Sequence, residues 1–167
     1  MSGDVKQAGC GHESRGGFCF GPAEPDCLAA LPPRQRRNVL IDSDLCVIGD
    51  QQFFIRGCLD LPILGTPYTF TWLVWVSLSR KSFDRAIDVW ELTGRESEPP
   101  YFGWLNTRIP CYPDTAELKT NVHTTPVDNR PLIVLEPGCH PLAIEQQQGI
   151  TLRRAESMAK QIALEWT

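Results

Sequence analysis

The run Tyr68-Thr69-Phe70-Thr71-Trp72-Leu73-Val74-Trp75-Val76-Ser77-Leu78 restricts the folds open to this chain more than any other segment. Its aromatic and β-branched residues suit a pleated strand. Alternation places Phe70, Trp72, Val74 and Val76 on one face. Leu73, Trp75 and Leu78 form no single opposite stripe, yet both faces are largely apolar. A strand of that kind is central and covered on each side.

The flanking sequence supplies partners for it. Leu45-Cys46-Val47-Ile48 and Phe53-Phe54-Ile55 read as two strands joined by Gly49-Asp50, a hairpin signal. Gly57 marks a bulge or a close backbone approach, and Leu61–Leu64 a short edge segment around Pro62. Ser79 is an N-cap for a helix over residues 80–92, carrying Phe83, Ala86, Ile87 and Trp90 at helical spacing and ending at Gly94. Strands are predicted at 102–106, 117–124 and 131–136. A short helix starts at Pro141 and ends at Gly149. Thr151 caps a last helix with Leu152, Ala155, Ala159, Ile162 and Trp166 on one face. The fold class is α+β: a mostly antiparallel sheet with two or three packed helices and an irregular N-terminal arm. Residues 1–38, rich in Gly, Pro and Cys, form that arm, with one short helix over residues 24–31. Residues 39–167 form a single α+β domain. On this division, deleting residues 1–30 leaves a folded protein.

Length and charge narrow the function. A chain of 167 residues with 42% hydrophobic content holds a core without staples. A net charge of −4 disfavours a phosphate-tracking nucleic-acid binder, so the Arg34, Arg36 and Arg37 cluster is read as a solvated surface. No apolar run is long enough to span a bilayer, and no membrane partner is expected. The first ten residues lack an apolar h-region, so no secretory signal is expected. Seven cysteines in such a chain are expected to be reduced thiols in a cytoplasmic protein.

Several blocks in order carry a family resemblance: Asp44–Ile48, Phe53–Gly57, Trp72–Ser79, Tyr101–Leu105, Tyr112–Thr115, Leu118–Thr120 and His140–Gln146. The chain resembles the bacterial domain of unknown function 2199 family over residues 38–163, and loosely before that. The resemblance implies a bacterial cytoplasmic protein and no assigned activity. Members of that family often open with Cys-x-x-Cys-Gly-x-x-His, half of a zinc-ribbon knuckle. Here Cys10-Gly11 is kept, but Gln7 and Ser14 stand at the first Cys and the His, and His12 is two residues off register.

Three groups of residues are candidates for a site. Cys10, His12, Cys19 and Cys27 have the ligand types zinc requires, but not the spacing of a knuckle; no metal or other cofactor is expected. Asp114, His123, His140 and Glu145 combine imidazoles with carboxylates, the chemistry of a general base. No nucleophile elbow accompanies them, and five residues between His140 and Glu145 is awkward for one helix face. Tyr101 and Trp104 belong to an aromatic set able to line a pocket or a partner-binding patch, with Gly103 allowing close approach. The favoured function is a non-enzymatic module that binds another protein or a small molecule. The alternatives are a small-substrate, hydrolase-like enzyme using His140 or His123, and a metal-binding regulatory protein with a degenerate N-terminal knuckle.

Overall fold

The computed structural model describes residues 17–165. The chain opens with strand β1 (Phe18–Phe20) and the single turn of helix α1 (Asp26–Ala29). A 3-10 segment at Pro33–Asn38 leads into β2 (Val39–Ile41). Strands β3 (Leu45–Ile48), β4 (Gln52–Pro62) and β5 (Thr69–Leu78) follow. Helix α2 (Arg80–Asp88) precedes the meander β6 (Tyr101–Leu105), β7 (Lys119–His123) and β8 (Leu132–Leu135). Helices α3 (Pro141–Gln148) and α4 (Leu152–Glu165) close the chain.

The hairpin between β3 and β4 turns at Gly49 and Asp50, both with positive φ, which matches the right-handed twist of the paired strands. Strand β4 then continues unbroken to Pro62, in register with β5 from Phe53 opposite Leu78 to Pro62 opposite Thr69. The separate edge segment expected at 61–64 is therefore largely the end of β4. Gly57 marks a close approach within the continuous ladder. A Cβ there would lie 2.5 Å from Ile133 Cδ1 and 2.8 Å from the Pro131 carbonyl.

The sheet closes on itself. Strand β5 pairs with β6, β6 with β7, β7 with β8, and β8 returns to β4 in parallel at Cys58 and Leu132. The long hairpin is shared at both ends. The first half of β4 holds β3, and the first half of β5 holds β1 in parallel. Closure removes edges that an open sheet exposes.

Closure also defines two cores. Phe53, Ile55, Leu59 and Leu61 of β4 face the main core with Phe70, Trp72, Val74 and Val76 of β5. Phe83 and Ala86 of α2, Leu142 and Ala143 of α3, and Ala155, Met158 and Ile162 of α4 complete it. The opposite face of the hairpin carries Phe54 and Trp75, covered with Cys46 by Leu28 of α1. The central strand is thus buried on both faces, by different layers. Residues 17–38, placed in the arm by composition, are joined to this second layer. The Pro22 carbonyl accepts from Trp75 Nε1 at 3.3 Å and from Arg56 Nη2 at 2.8 Å.

Two helix details depart from the sequence reading. Helix α2 is capped by Ser79 as expected, but it stops at Asp88, six residues before Gly94. In α4, capped by Thr151, the buried stripe is Ala155, Met158 and Ile162, while Leu152 is exposed. Met158 reaches the core because it lies three residues beyond Ala155 and four before Ile162 on one helical face. Trp166 lies outside the described residues.

Candidate functional site

Alternation along the meander decides which side chains reach solvent. In β6, Tyr101, Gly103 and Leu105 point inward, and Phe102 and Trp104 outward. In β7, Thr120 and Val122 are buried, while Lys119, Asn121 and His123 face out; in β8, Val134 does so. The register sets Phe102 beside Asn121 and Asn121 beside Val134, with Trp104 beside Lys119. The outer face of three adjacent strands therefore carries Phe102, Trp104, Lys119, Asn121, His123 and Val134. Phe102 and Trp104 are 44% and 43% exposed, and their rings meet edge to face at 5.1 Å. Gly103 between them lets β6 press onto β5, since a Cβ there would lie 2.4 Å from Val76 Cγ1. The close approach foreseen at this glycine is to the protein's own strand.

A cleft lies at each flank of this face. One, of about 410 Å³, is lined by Cys27, Gln52, Ser77, Trp104, Asn106 and Glu117 among others. The second, of about 420 Å³, includes Cys58, Asp60, Leu132, Val134, Gln146 and Gln147. Two residues that the sequence reading passed over shape these clefts. The Asn106 side chain accepts from Cys27 N at 2.9 Å and donates to Cys27 Sγ at 3.1 Å, tying α1 to the end of β6. Gln146 accepts from Leu135 N and donates to the Ile133 carbonyl, both at 2.8 Å. Its amide stands in for a neighbouring strand where β8 diverges from β4. The sequence held no signal for either, because each serves a backbone group distant in the chain.

The other candidate residues are dispersed. His140 caps α3: its Nδ1 accepts from Leu142 N at 3.1 Å, which leaves Nε2 to donate to the Asp114 carbonyl at 3.1 Å. Both ring nitrogens are engaged, so the imidazole links the 106–118 loop to α3. The Asp114 carboxylate accepts from Ala116 N and lies 3.6 Å from Arg108 Nε at the surface. Glu145, a candidate carboxylate for general-base chemistry, accepts from the Tyr112 hydroxyl and from Arg154 Nε at 3.1 Å. The Arg154 guanidinium also lies over the Tyr112 ring at 5.4 Å. Burial first, and then the Glu145 carboxylate, push the Tyr112 phenol well above its ordinary range. This triad clamps the loop, α3 and α4. Tyr101 is buried and donates to Glu98 Oε2 at 3.0 Å. Of the described candidate residues, only Trp104 and His123 stand on the open face, and neither flanking cleft is lined by His123, His140, Asp114 or Glu145. His140→Ala is expected to cost about 1 kcal/mol, the usual value of a helix cap, measured by urea denaturation. A cost under about 0.3 kcal/mol would show that the cap is not made in solution.

Among the described residues, no group of three or more His, Cys, Asp or Glu is placed to hold a metal ion. Cys10 and His12 lie outside those residues. Cys19 is disulfide-bonded, which corrects the expectation of uniformly reduced thiols. Cys27, Cys46, Cys58, Cys111 and Cys139 are free. Burial pushes the Cys46 thiol up to about 11 and the Cys58 thiol up to about 12. The folded chain then holds these protons more tightly than the unfolded one, whose ordinary value is 9.0. Their contribution to stability is complete below that value and is lost as pH rises through the folded-state values. Iodoacetamide at about pH 8 should therefore label exposed Cys139 in the native protein, and Cys46 and Cys58 only after unfolding. Mass spectrometry of the labelled peptides reads this directly; native labelling of Cys58 at a rate near that of Cys139 would contradict it.

Fold and surface together define an α+β protein built on a closed sheet, with an uncovered aromatic face beside two clefts. The chain belongs to the family described as uncharacterized protein conserved in bacteria (DUF2199), whose model matches residues 7–150. No curated protein and no solved structure matches it. Among the described residues, no helix is long and apolar enough to cross a membrane.

Proposed function

We propose that the protein is a non-enzymatic binding module and that the outer face of β6–β8 docks another protein. The observation that carries this reading is the edge-to-face pair of Phe102 and Trp104, nearly half exposed on a sheet face. Large aromatic side chains left in water are the usual anchors of protein interfaces, where a few such residues supply most of the affinity. Trp104 borders one cleft but Phe102 lines neither, so the pair as a unit stands on an open surface, whereas small ligands are taken up in concave sites. Lys119, Asn121 and His123 provide a polar border to it, as expected of an interface rim. The net charge of −4 argues against a nucleic-acid ligand.

A photo-crosslinking residue placed at Phe102, in the full chain inside its native host, tests the proposal. The expected result is a discrete heteromeric product that disappears when Trp104→Ala is added, with the melting temperature unchanged. The affinity of the purified pair should then fall at least roughly tenfold with Trp104→Ala. Absence of a discrete product would overturn the proposal. So would a product containing only this chain, or a product indifferent to Trp104.

A further inference from the structure

Among the described residues, strand β2 ends the sheet, with β3 as its neighbour on one side and no strand on the other. Gly49 N–H donates to the Asn38 carbonyl at 2.8 Å, and Asp42 N–H donates to the Leu45 carbonyl at 3.0 Å. In an antiparallel ladder such bonds alternate along the strand. Residues 38, 40 and 42 therefore bond toward β3, and the N–H and C=O groups of Val39 and Ile41 point to the free side. The strand carries none of the usual protections of an edge other than its shortness: no proline, no lysine and no bulge. Leu40 is 75% exposed and Ile41 43%.

The charges around this edge are ordered. Arg34, Arg36 and Arg37 precede it, and Asp42 and Asp44 follow it. Arg37 is exposed and forms no ion pair among the described residues. We infer that the occupant of this edge is a second copy of the chain, paired antiparallel through β2 about a two-fold axis at Leu40. In that register Val39 of each copy lies opposite Ile41 of the other and exchanges two backbone hydrogen bonds with it. Leu40 faces Leu40 across the axis in the closer, non-hydrogen-bonded spacing. Arg37 of each copy, in the 3-10 turn just before β2, then approaches the acidic Asp42–Asp44 end of the other, while Arg36 and Asp44 keep their own partners Glu24 and Arg130. A parallel pairing would set arginines against arginines and aspartates against aspartates, so the charge order selects the antiparallel arrangement. A self-complementary patch of this kind is what a two-fold dimer requires. The strand is short, so the dimer is a concentration-dependent one at the small end of interface sizes.

Sedimentation equilibrium of the full chain between roughly 5 and 500 µM tests this, a range suited to a small interface. The mass should rise from one chain to two. Leu40→Lys and Leu40→Glu should each remain monomeric with an unchanged melting temperature, because the side chain is exposed. Mixing the two variants should restore the dimer, since only at the axis does residue 40 meet itself. Arg37→Glu should weaken association of the otherwise native chain several-fold. A monomer at every concentration would overturn the inference, as would a dimer insensitive to Leu40→Lys, or variants that fail to complement. Trp104→Ala should leave the association intact, so this inference and the proposed docking face fail independently.

Discussion

Replacing Trp72 with alanine should lower the unfolding free energy by about 3–5 kcal/mol, the range for deleting a large aromatic from a packed core. Trp72 is fully buried in the middle of β5. Its ring lies 4.9 Å from that of Phe70, 6.5 Å from Phe20 and 6.4 Å from Tyr112. Those rings come from β1, β5 and the 106–118 loop, so one truncation loosens three parts of the molecule at once. Domains of this kind are stable by only about 5–15 kcal/mol in total. The variant should therefore show a large drop in urea midpoint with the same denaturant slope. A change under about 1 kcal/mol, the range of ordinary surface substitutions, would mean that the strand is not enclosed.

Deletion of residues 1–30 should have an effect at least as large. Composition alone suggests that this segment is dispensable. The fold points the other way, because the segment supplies one of the two layers that cover the central hairpin. The deletion removes Leu28 from its cluster and exposes Trp75 and Phe54. Uncovering side chains of this size costs roughly 1.5–3 kcal/mol each, so the sum is on the order of 5 kcal/mol. It also removes the Pro22 carbonyl that accepts from the Arg56 and Trp75 side chains. Arg56 already has a buried Nε without a hydrogen-bond partner among the described residues, and its guanidinium is held below its ordinary range by burial and then by Arg130. The truncated chain should lose cooperative thermal unfolding and its near-ultraviolet tryptophan signal. Leu28→Ala in the full chain isolates the packing term and should cost about 2–4 kcal/mol. A truncated protein that melts cooperatively within a few degrees of the full chain would show that the α1 layer is not part of the core.

Several elements were legible because their causes are local. Ser79 caps α2 through Ser82 N, Pro141 opens α3 and Thr151 caps α4, all within one turn of the residue concerned. The alternation of β5 and the turn at Gly49-Asp50 are equally short-range. The candidate site was legible in part. Trp104 and His123 do lie on one exposed face, but Tyr101 is inside, and His140 and Glu145 hold loops and helices together. Residue type marked these side chains as chemically able, while strand parity and distant partners decided which of them meet solvent. Phe102 lay among the aromatic residues, yet only its outward register beside Trp104 gives it a role.

Local stereochemistry and apolar periodicity, both properties of neighbours in the chain, determined most of the elements from β3 onward, the central strand and the α+β class from the sequence alone, whereas the short strands β1 and β2 carried no such signal. The tertiary structure decided that the sheet closes through the parallel contact of Cys58 with Leu132 and that β1 joins β5. It also decided that α1 roofs Trp75 and that Phe102 and Trp104 are left uncovered. Each of these depends on residues more than forty or on whole strands apart, whose pairing is set by how the complete core packs and leaves no trace in local spacing.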